Sequence, residues 1–380
     1  MKRIVFTQLL IFFGYFSLFA QTTKGTDFWF GYMKNSHAYA DLEVYICADI
    51  AASGDISMPA IGWNQSFNVA SNSTTMISIP YAQALPLNTG IEDMGIHLVS
   101  DVDVQVYAMN YLQMTSDASI VLPTSGLGNE YYTSSYDPAT SVGQKASEFI
   151  VVATDDNTLI NITPNDDIIG GAMAVNTFSI TLNKGQLYQA QSYGDLNGSR
   201  VWVDASMQGL KPIAVYSGNE GVNVGGCPYQ DHLFEAMLPI PTWGKEYIGV
   251  PFKNKLGDEF IIIASKDGTV IDIGGTVQNL DKGESYTYFS DTTHYICSNK
   301  DISLSQYCRG YNCDNMDGDP LMIVHNALGQ RLNEINFNAF TSSVITNYYV
   351  NVVCPSSGNN TLLLDGVDIT SQLTPLASNP

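Results

Sequence analysis

The residues of this 380-residue chain equipped for catalysis or metal binding are five histidines, six cysteines and a broad scatter of carboxylates. His37, His97, His232, His294 and His325 stand far apart, and no H-E-x-x-H pair occurs. His232 and Glu235 make an H-x-x-E spacing that lacks the second imidazole a zinc-binding helix requires. The stretch 313–319, Cys-Asp-Asn-Met-Asp-Gly-Asp, offers the hard oxygens that calcium prefers. Placing Gly318 sixth in the loop puts Cys313 first and Val324 twelfth, which excludes an EF-hand. A looser calcium set from Asp314, Asp317 and Asp319 competes with an Asx-rich turn, so a metal role stays open.

Nucleophilic chemistry has no signature here. Ser217 sits in Val-Tyr-Ser-Gly-Asn, without the leading glycine of G-x-S-x-G, and phosphate-loop and dinucleotide fingerprints are missing. Glycoside hydrolysis needs only two carboxylates at a set separation, and 37 acidic residues supply candidates. The carboxylates that recur, however, are Asp27, Glu130 and Glu246, each one residue before an aromatic at the start of a strand pattern. An active site is needed once, whereas a residue repeated in every unit is expected to be structural. No catalytic and no cofactor-binding residue is assigned.

The elements that position these residues are repeats. The stretch 148–162, EFIVVATDDNTLINI, reads as apolar run, Asx-rich turn and β-branched run, the pattern of a hairpin. It returns at 259–273 as EFIIIASKDGTVIDI, with eight of fifteen positions identical and a fainter relative at 44–48. Three further blocks keep the same order. The first is Gly25-Thr-Asp27-Phe28, Gly128-Asn-Glu130-Tyr131 and Gly244-Lys-Glu246-Tyr247, the last two preceded by Leu122-Pro123 and Leu238-Pro239. Leu182-Asn-Lys184-Gly185 matches Leu280-Asp-Lys282-Gly283, a tight-turn signal. Lys211-Pro212-Ile213 loosely matches Lys300-Asp-Ile302. Through these blocks the displacement between second and third copies falls from 116 to 111, 98 and 89, so strands persist and connections shorten by 5, 13 and 9 residues. Such differences belong in surface loops.

The spacing predicts an all-β chain of tandem antiparallel units of about 100 residues with about seven strands each, sandwich-like, with a propeller-like arrangement as the alternative. Units are expected at about 21–120, 121–236 and 237–340, and 341–380 reads as the truncated start of a further unit, from 347–353 and 361–366. The best helical candidate is 231–237, barely two turns.

Residues 1–20 read as a secretory signal peptide: Lys2 and Arg3, an apolar stretch and Ala20 before Gln21. No later run approaches the roughly 20 apolar residues of a membrane-spanning helix, so no membrane insertion is expected. A net charge of −21 repels nucleic acid and anionic lipid. Cys47, Cys227, Cys297, Cys308, Cys313 and Cys354 all follow the signal, where an oxidising compartment permits disulfides. Spacing does not choose among the pairings; Cys308 with Cys313 is the first to test, against buried free thiols. The 22 tyrosines, with Trp29, Trp63, Trp202 and Trp243, suit sugar or protein contacts, but aromatics also fill β cores.

Taken together, Gly25-Thr-Asp27-Phe28-Trp29, the turn 153–158, the run from Gly198-Ser199 to Val215, Leu238-Pro239 to Tyr247, and Asp319-Pro320 followed by Gln330 resemble the IgGFc-binding protein N-terminal domain family over most of residues 25–340. The resemblance implies a secreted or surface protein and transfers no binding residues. The expected function is a secreted or cell-surface, non-enzymatic binding or adhesion module for an extracellular protein or glycan. The alternatives are a secreted carbohydrate-active hydrolase and a structural spacer within a larger surface protein.

Overall fold

The structure, a computed structural model, describes residues 23–314, 318–332, 334–335, 337, 339–340, 347–355 and 362–376. The expected signal, 1–20, lies outside them. The first unit contributes β1 (Lys24–Phe30), β2 (Asp41–Ala48), β3 (Ala52–Met58), β4 (Trp63–Val69), β5 (Ser73–Ile79), β6 (Gly90–Glu92), β7 (Ile96–Tyr111) and β8 (Asp117–Val121). The second contributes β9 (Glu130–Tyr132), β10 (Ser147–Ala153), β11 (Thr158–Thr163), β12 (Phe178–Leu182), β13 (Leu187–Ser192), β14 (Arg200–Val203), β15 (Ile213–Val222) and β16 (Asp231–Ala236). The third contributes β17 (Gly244–Gly249), β18 (Asp258–Ala264), β19 (Thr269–Ile273), β20 (Thr276–Leu280), β21 (Ser285–Ser290), β22 (His294–Cys308) and β23 (Leu321–Val324). Among the described residues, no helix is long and apolar enough to cross a membrane.

The repeat is a repeat of topology. The first sheet runs β4-β3-β7-β2-β5, with β1 and β8 also on β7; the third runs β20-β19-β22-β18-β21, with β17 and β23 also on β22. In the middle unit the turn Ala205–Gln208 cuts the long strand into β14 and β15, and the sheet parts into β12-β11-β14-β9 and β16-β15-β10-β13-β6. A long strand that pairs with β1 and β3 early and with β2 and β8 late has to carry the sheet over onto itself. Phe28, Phe30, Ile56 and Leu98 from one layer and Val44, Ile46, Ile77 and Val106 from the other accordingly share one buried cluster. The units are sandwich-like.

One expectation changes here. The stretch 148–162 is not a hairpin: β10 pairs with β13 and β15, while β11 pairs with β12 and β14 in the opposite layer. β18 and β19 repeat this, so the Asx turn is an arch from layer to layer. Its geometry is conserved in kind: Asn157 and Gly268 take φ of 53° and 62°, and the hydroxyls of Thr158 and Thr269 donate to the carbonyls of Asp155 and Lys266 at 2.7 and 2.6 Å. The weak helical candidate at 231–237 falls on β16, which closes the edge of β15, in keeping with the all-β expectation.

The opening strand explains its own motif. A Cβ on Gly25, Gly128 or Gly244 would come within 2.6, 2.5 or 2.4 Å of the Cβ of Pro123, Pro239 or Ala327, so the residues leading into the next unit seal each glycine. The recurring carboxylates reach diagonally to the long strand: Asp27 Oδ2 to His97 Nε2 at 2.8 Å, Glu130 Oε1 to Arg200 Nε at 2.7 Å, and Glu246 to the Tyr295 hydroxyl. They act as cross-strand ties. The Tyr131 hydroxyl accepts from Gly128 N at 2.7 Å and donates to Ile213 O at 2.8 Å; Tyr247 does the same with Gly244 and Ile302. Phe28 fills this place in the first unit, so the ring alone fits. Tyr131→Phe should therefore keep the fold and lower urea stability by about 1 kcal/mol, the value of one buried hydrogen-bonding hydroxyl.

The disulfide joins Cys227 to Cys313, with Cα atoms 5.5 Å apart, and not Cys308 to Cys313. Cys308 is buried at the end of β22, while Cys313 lies on the following turn, against the loop after β15. The bond thus ties the second unit to the third. Beyond residue 340, 347–353 carries no strand, and β24 (Leu363–Leu364) and β25 (Val367–Asp368) flank a turn at Asp365 and Gly366, φ 50° and 80°.

Candidate functional site: the cleft between the second and third units

Each Lys-Gly turn docks on the unit before it. Lys184 lies 5.2 Å above the Trp29 ring, itself stacked on His97 at 4.0 Å. Gly185 accepts from Gly95 N at 2.9 Å; its φ of 83° and the 2.8 Å between a built Cβ and Pro59 both demand glycine. One unit on, Lys282 Nζ stands 3.4 Å from Glu130 Oε1, and a Cβ on Gly283 would touch the Tyr132 ring at 3.0 Å.

A cleft opens beside each turn. The first, about 380 Å³, is bounded by Ile61 and Gln186 and includes Ile91 to Met94 in its lining. The second, about 750 Å³, lies between Tyr132, Asn165, Val175 and Arg200 of the second unit and Lys282 and Ser285 of the third. Arg200 is held over the Trp202 ring at 4.1 Å while bonding Glu130. Burial pushes the Tyr132 hydroxyl up to about 12, so it presents a proton donor.

One wall of the second cleft is the loop 164–177. It holds itself together: Val175 N donates to Pro164 O at 2.8 Å, Ile168 N to Ala172 O at 2.8 Å and Ala174 N to Asp167 Oδ1 at 2.7 Å. Ile168 is its buried anchor, and Ser192 Oγ donates to Asp167 O at 2.6 Å. A compact surface loop closed by its own contacts is a frequent carrier of function. Its tip exposes Met173 (67%) and Val175 (73%), and Val175 has φ 56°, a conformation that β-branched residues avoid. No single residue of this loop stood out in the sequence. The 13-residue displacement between the arch and Lys-Gly blocks marks it, because the third unit replaces the loop by Gly274-Gly275.

The residues considered for chemistry are scattered. His232 is buried, with Nδ1 2.8 Å from Asn219 O and Nε2 3.2 Å from Asn110; Glu235, an odd step along β16, faces the other way. His294 meets the Tyr288 hydroxyl at 2.8 Å, His325 meets Gln306 at 2.8 Å, and His37 stands beside Tyr39. Ser217 Oγ donates to Glu148 O at 3.2 Å. Asp317 and the Asp314 side chain lie outside the described residues, and Asp319 turns to Asp231. Among the described residues, no three His, Cys, Asp or Glu side chains gather as a metal site.

The fold and its clefts define a class: a tandem array of docked, sandwich-like β units with variable loops at the junctions. Residues 117–380 match the IgGFc binding protein family, and the chain belongs to it. A human relative, "IgGFc-binding protein" of Homo sapiens, is 26% identical over 220 residues, 56% of this chain and 4% of that protein. A chain solved in work on host cell surface retention of a 1.5-MDa bacterial ice-binding adhesin aligns with 77% of this chain and 93% of its own, at 10% identity and a TM-score of 0.13. That likeness carries no argument.

Proposed function

We propose that this chain is an extracellular, non-enzymatic binding module whose partner is a protein, held in the cleft between the second and third units. The carrying observation is the strained, apolar-tipped loop 164–177 forming one wall of a 750 Å³ cleft on a rigid framework. Support also comes from the family, and from a human relative whose name states binding of IgG Fc. The recurring carboxylates are engaged as cross-strand ties, which favours binding over two-carboxylate hydrolysis.

The test begins with residues 21–380 presented to an array of extracellular proteins, immunoglobulin included, with glycans alongside. A saturable protein partner should lose at least about tenfold in affinity, roughly 1.4 kcal/mol, with Ser285→Arg or Val175→Arg. Both positions are exposed, so the thermal midpoint should move by no more than about 2 °C. Undiminished binding by both variants would place the site elsewhere, and a glycan as the saturable ligand would overturn the protein partner.

A further inference from the structure

The two junctions are equivalent in build and differ in one respect. At the first, the chain between β5 and β7 lays β6 antiparallel along β13, pairing Glu92, Ile91 and Gly90 with Leu187, Tyr188 and Gln189. Side chains clamp the strand in place. Gln189 Nε2 donates to Asn88 O at 3.1 Å, Gln191 N to Thr89 Oγ1 at 3.2 Å, and Gln186 Nε2 to Asp93 Oδ1 at 2.8 Å. The first unit therefore covers the outer edge of β13 with its own strand.

At the second junction the strand in the place of β13 is β21, and it is the outermost strand of its sheet. The second unit has only residues 193–199 between β13 and β14, too short a connection to supply a counterpart of β6. Aligned on the Lys-Gly turns, Ser285, Thr287 and Phe289 occupy the places of Leu187, Gln189 and Gln191. Ala264 N donates to Glu284 O at 3.1 Å, and Ala153 N donates to Gln186 O at 3.1 Å. In an antiparallel ladder, inward and outward groups alternate. Residues 284, 286 and 288 thus face β18, and Ser285, Thr287 and Phe289 turn their main-chain groups outward, as Leu187 and Gln189 turn theirs to β6. Ser285 lines the cleft.

We infer that the cleft takes an extended polypeptide strand that adds antiparallel to β21, in the pose that residues 88–95 adopt on β13. The inference rests on the cleft being the binding site and names what the cleft recognises: main-chain donors and acceptors of an open strand. Side chains set preference. Glu284 stands where Gln186 receives Asp93, so the occupant carries a basic or amide residue there, because a carboxylate would face a carboxylate. A small residue is expected opposite Thr287, as Gly90 lies opposite Gln189.

The experiment is selection of peptides of about 12 residues from a random display library on residues 21–380, followed by amide hydrogen exchange of the full chain with an enriched peptide bound. The amides of Ser285, Thr287 and Phe289 should slow at least about tenfold on binding, while those of Tyr286 and Tyr288 are slow in both states. Thr287→Pro removes an outward N–H only and should abolish binding. An enriched peptide that competes at the cleft yet leaves those three amides unprotected overturns strand addition and leaves the cleft standing as a site. Absence of enrichment overturns recognition of a polypeptide strand, while a protein partner sensitive to Ser285→Arg would still uphold the cleft.

Discussion

Breaking the Cys227–Cys313 bond should lower the thermal midpoint by on the order of 10 °C. The bond spans 86 residues. The chain-entropy account assigns a loop of that size about 4–5 kcal/mol, drawn from the unfolded ensemble. For a cooperative block of roughly 150–250 residues, each kcal/mol moves the midpoint by about 2–4 °C. The loops it joins are packed together as well: a Cβ on Gly225 would come within 2.5 Å of Arg309 Nε, and the Arg309 guanidinium lies 5.0 Å from the Phe289 ring. Loss of the bond should act on the end of β21 as well as on global stability. Calorimetry of Cys227→Ser/Cys313→Ser against the parent, each with and without reductant, checks this. The parent in reductant should match the double variant, which reductant should leave unmoved. A midpoint unchanged within about 2 °C on reduction of the parent would remove the bond from the list of what holds these units together.

The sequence carried the repeat because strands tolerate few insertions: the Gly-x-carboxylate-aromatic block, the Asx arch and the Lys-Gly turn each correspond to one tight piece of geometry. Hairpin and arch were not separable in it. An apolar run, a turn and a β-branched run specify which residues are buried, and β10 is buried throughout, but not which strand lies alongside. A period of two is likewise indifferent to partner. The stretch that became β16 was ambiguous because seven residues with Leu233, Phe234 and Met237 satisfy a helical spacing as easily as a strand; the edge of β15 decides it. The disulfide was hidden because its partners are brought together only by docking of the second unit on the third. For the candidate site, the legible signal was an offset. The 13-residue excess, read only as a surface-loop difference, falls on the loop 164–177, while its strain at Val175 and the open edge of β21 are three-dimensional facts with no counterpart in composition.

Acidification from pH 8 towards 6 should stabilise the protein, and Asp117→Asn should remove the share of that response that Asp117 carries. The seam between the first and second units is closed by side chains. Thr115 Oγ1, Asp117 Oδ2 and Ser119 Oγ of the β8 segment accept from the main-chain N–H of His232, Phe234 and Ala236 along β16, at 3.1, 3.0 and 2.8 Å. Into the same seam come Asp231 and Glu235 from the second unit, and the exposed Asp319 of the third lies close enough to Asp231 to act on its charge. Burial pushes Asp117 up to about 8 and holds Asp231 and Glu235 well above the usual carboxylate range, with neighbouring carboxylates adding to it; burial also raises Asp319 against the pull of Lys255. A carboxyl with a raised folded-state value binds its proton more tightly in the folded chain, so its contribution is greatest at low pH and is lost as pH climbs towards 8. Asp195, at about 6, and the buried Glu148 act in the same sense. His232 and His325 oppose it lower down: burial depresses both to about 4, so stability falls between about pH 6.5 and 4 as the unfolded chain takes up their protons first. The carboxyls outnumber the histidines, so the optimum should lie well on the acid side of neutrality. Asp117→Asn keeps an acceptor for Phe234 N without a charge, and should add on the order of 2 kcal/mol at pH 8, discounted for the partial exposure of the site, and roughly a third of that at pH 5. Urea midpoints of both proteins at pH 8, 6 and 5 decide it: parallel curves for parent and variant would show that Asp117 does not titrate in this range.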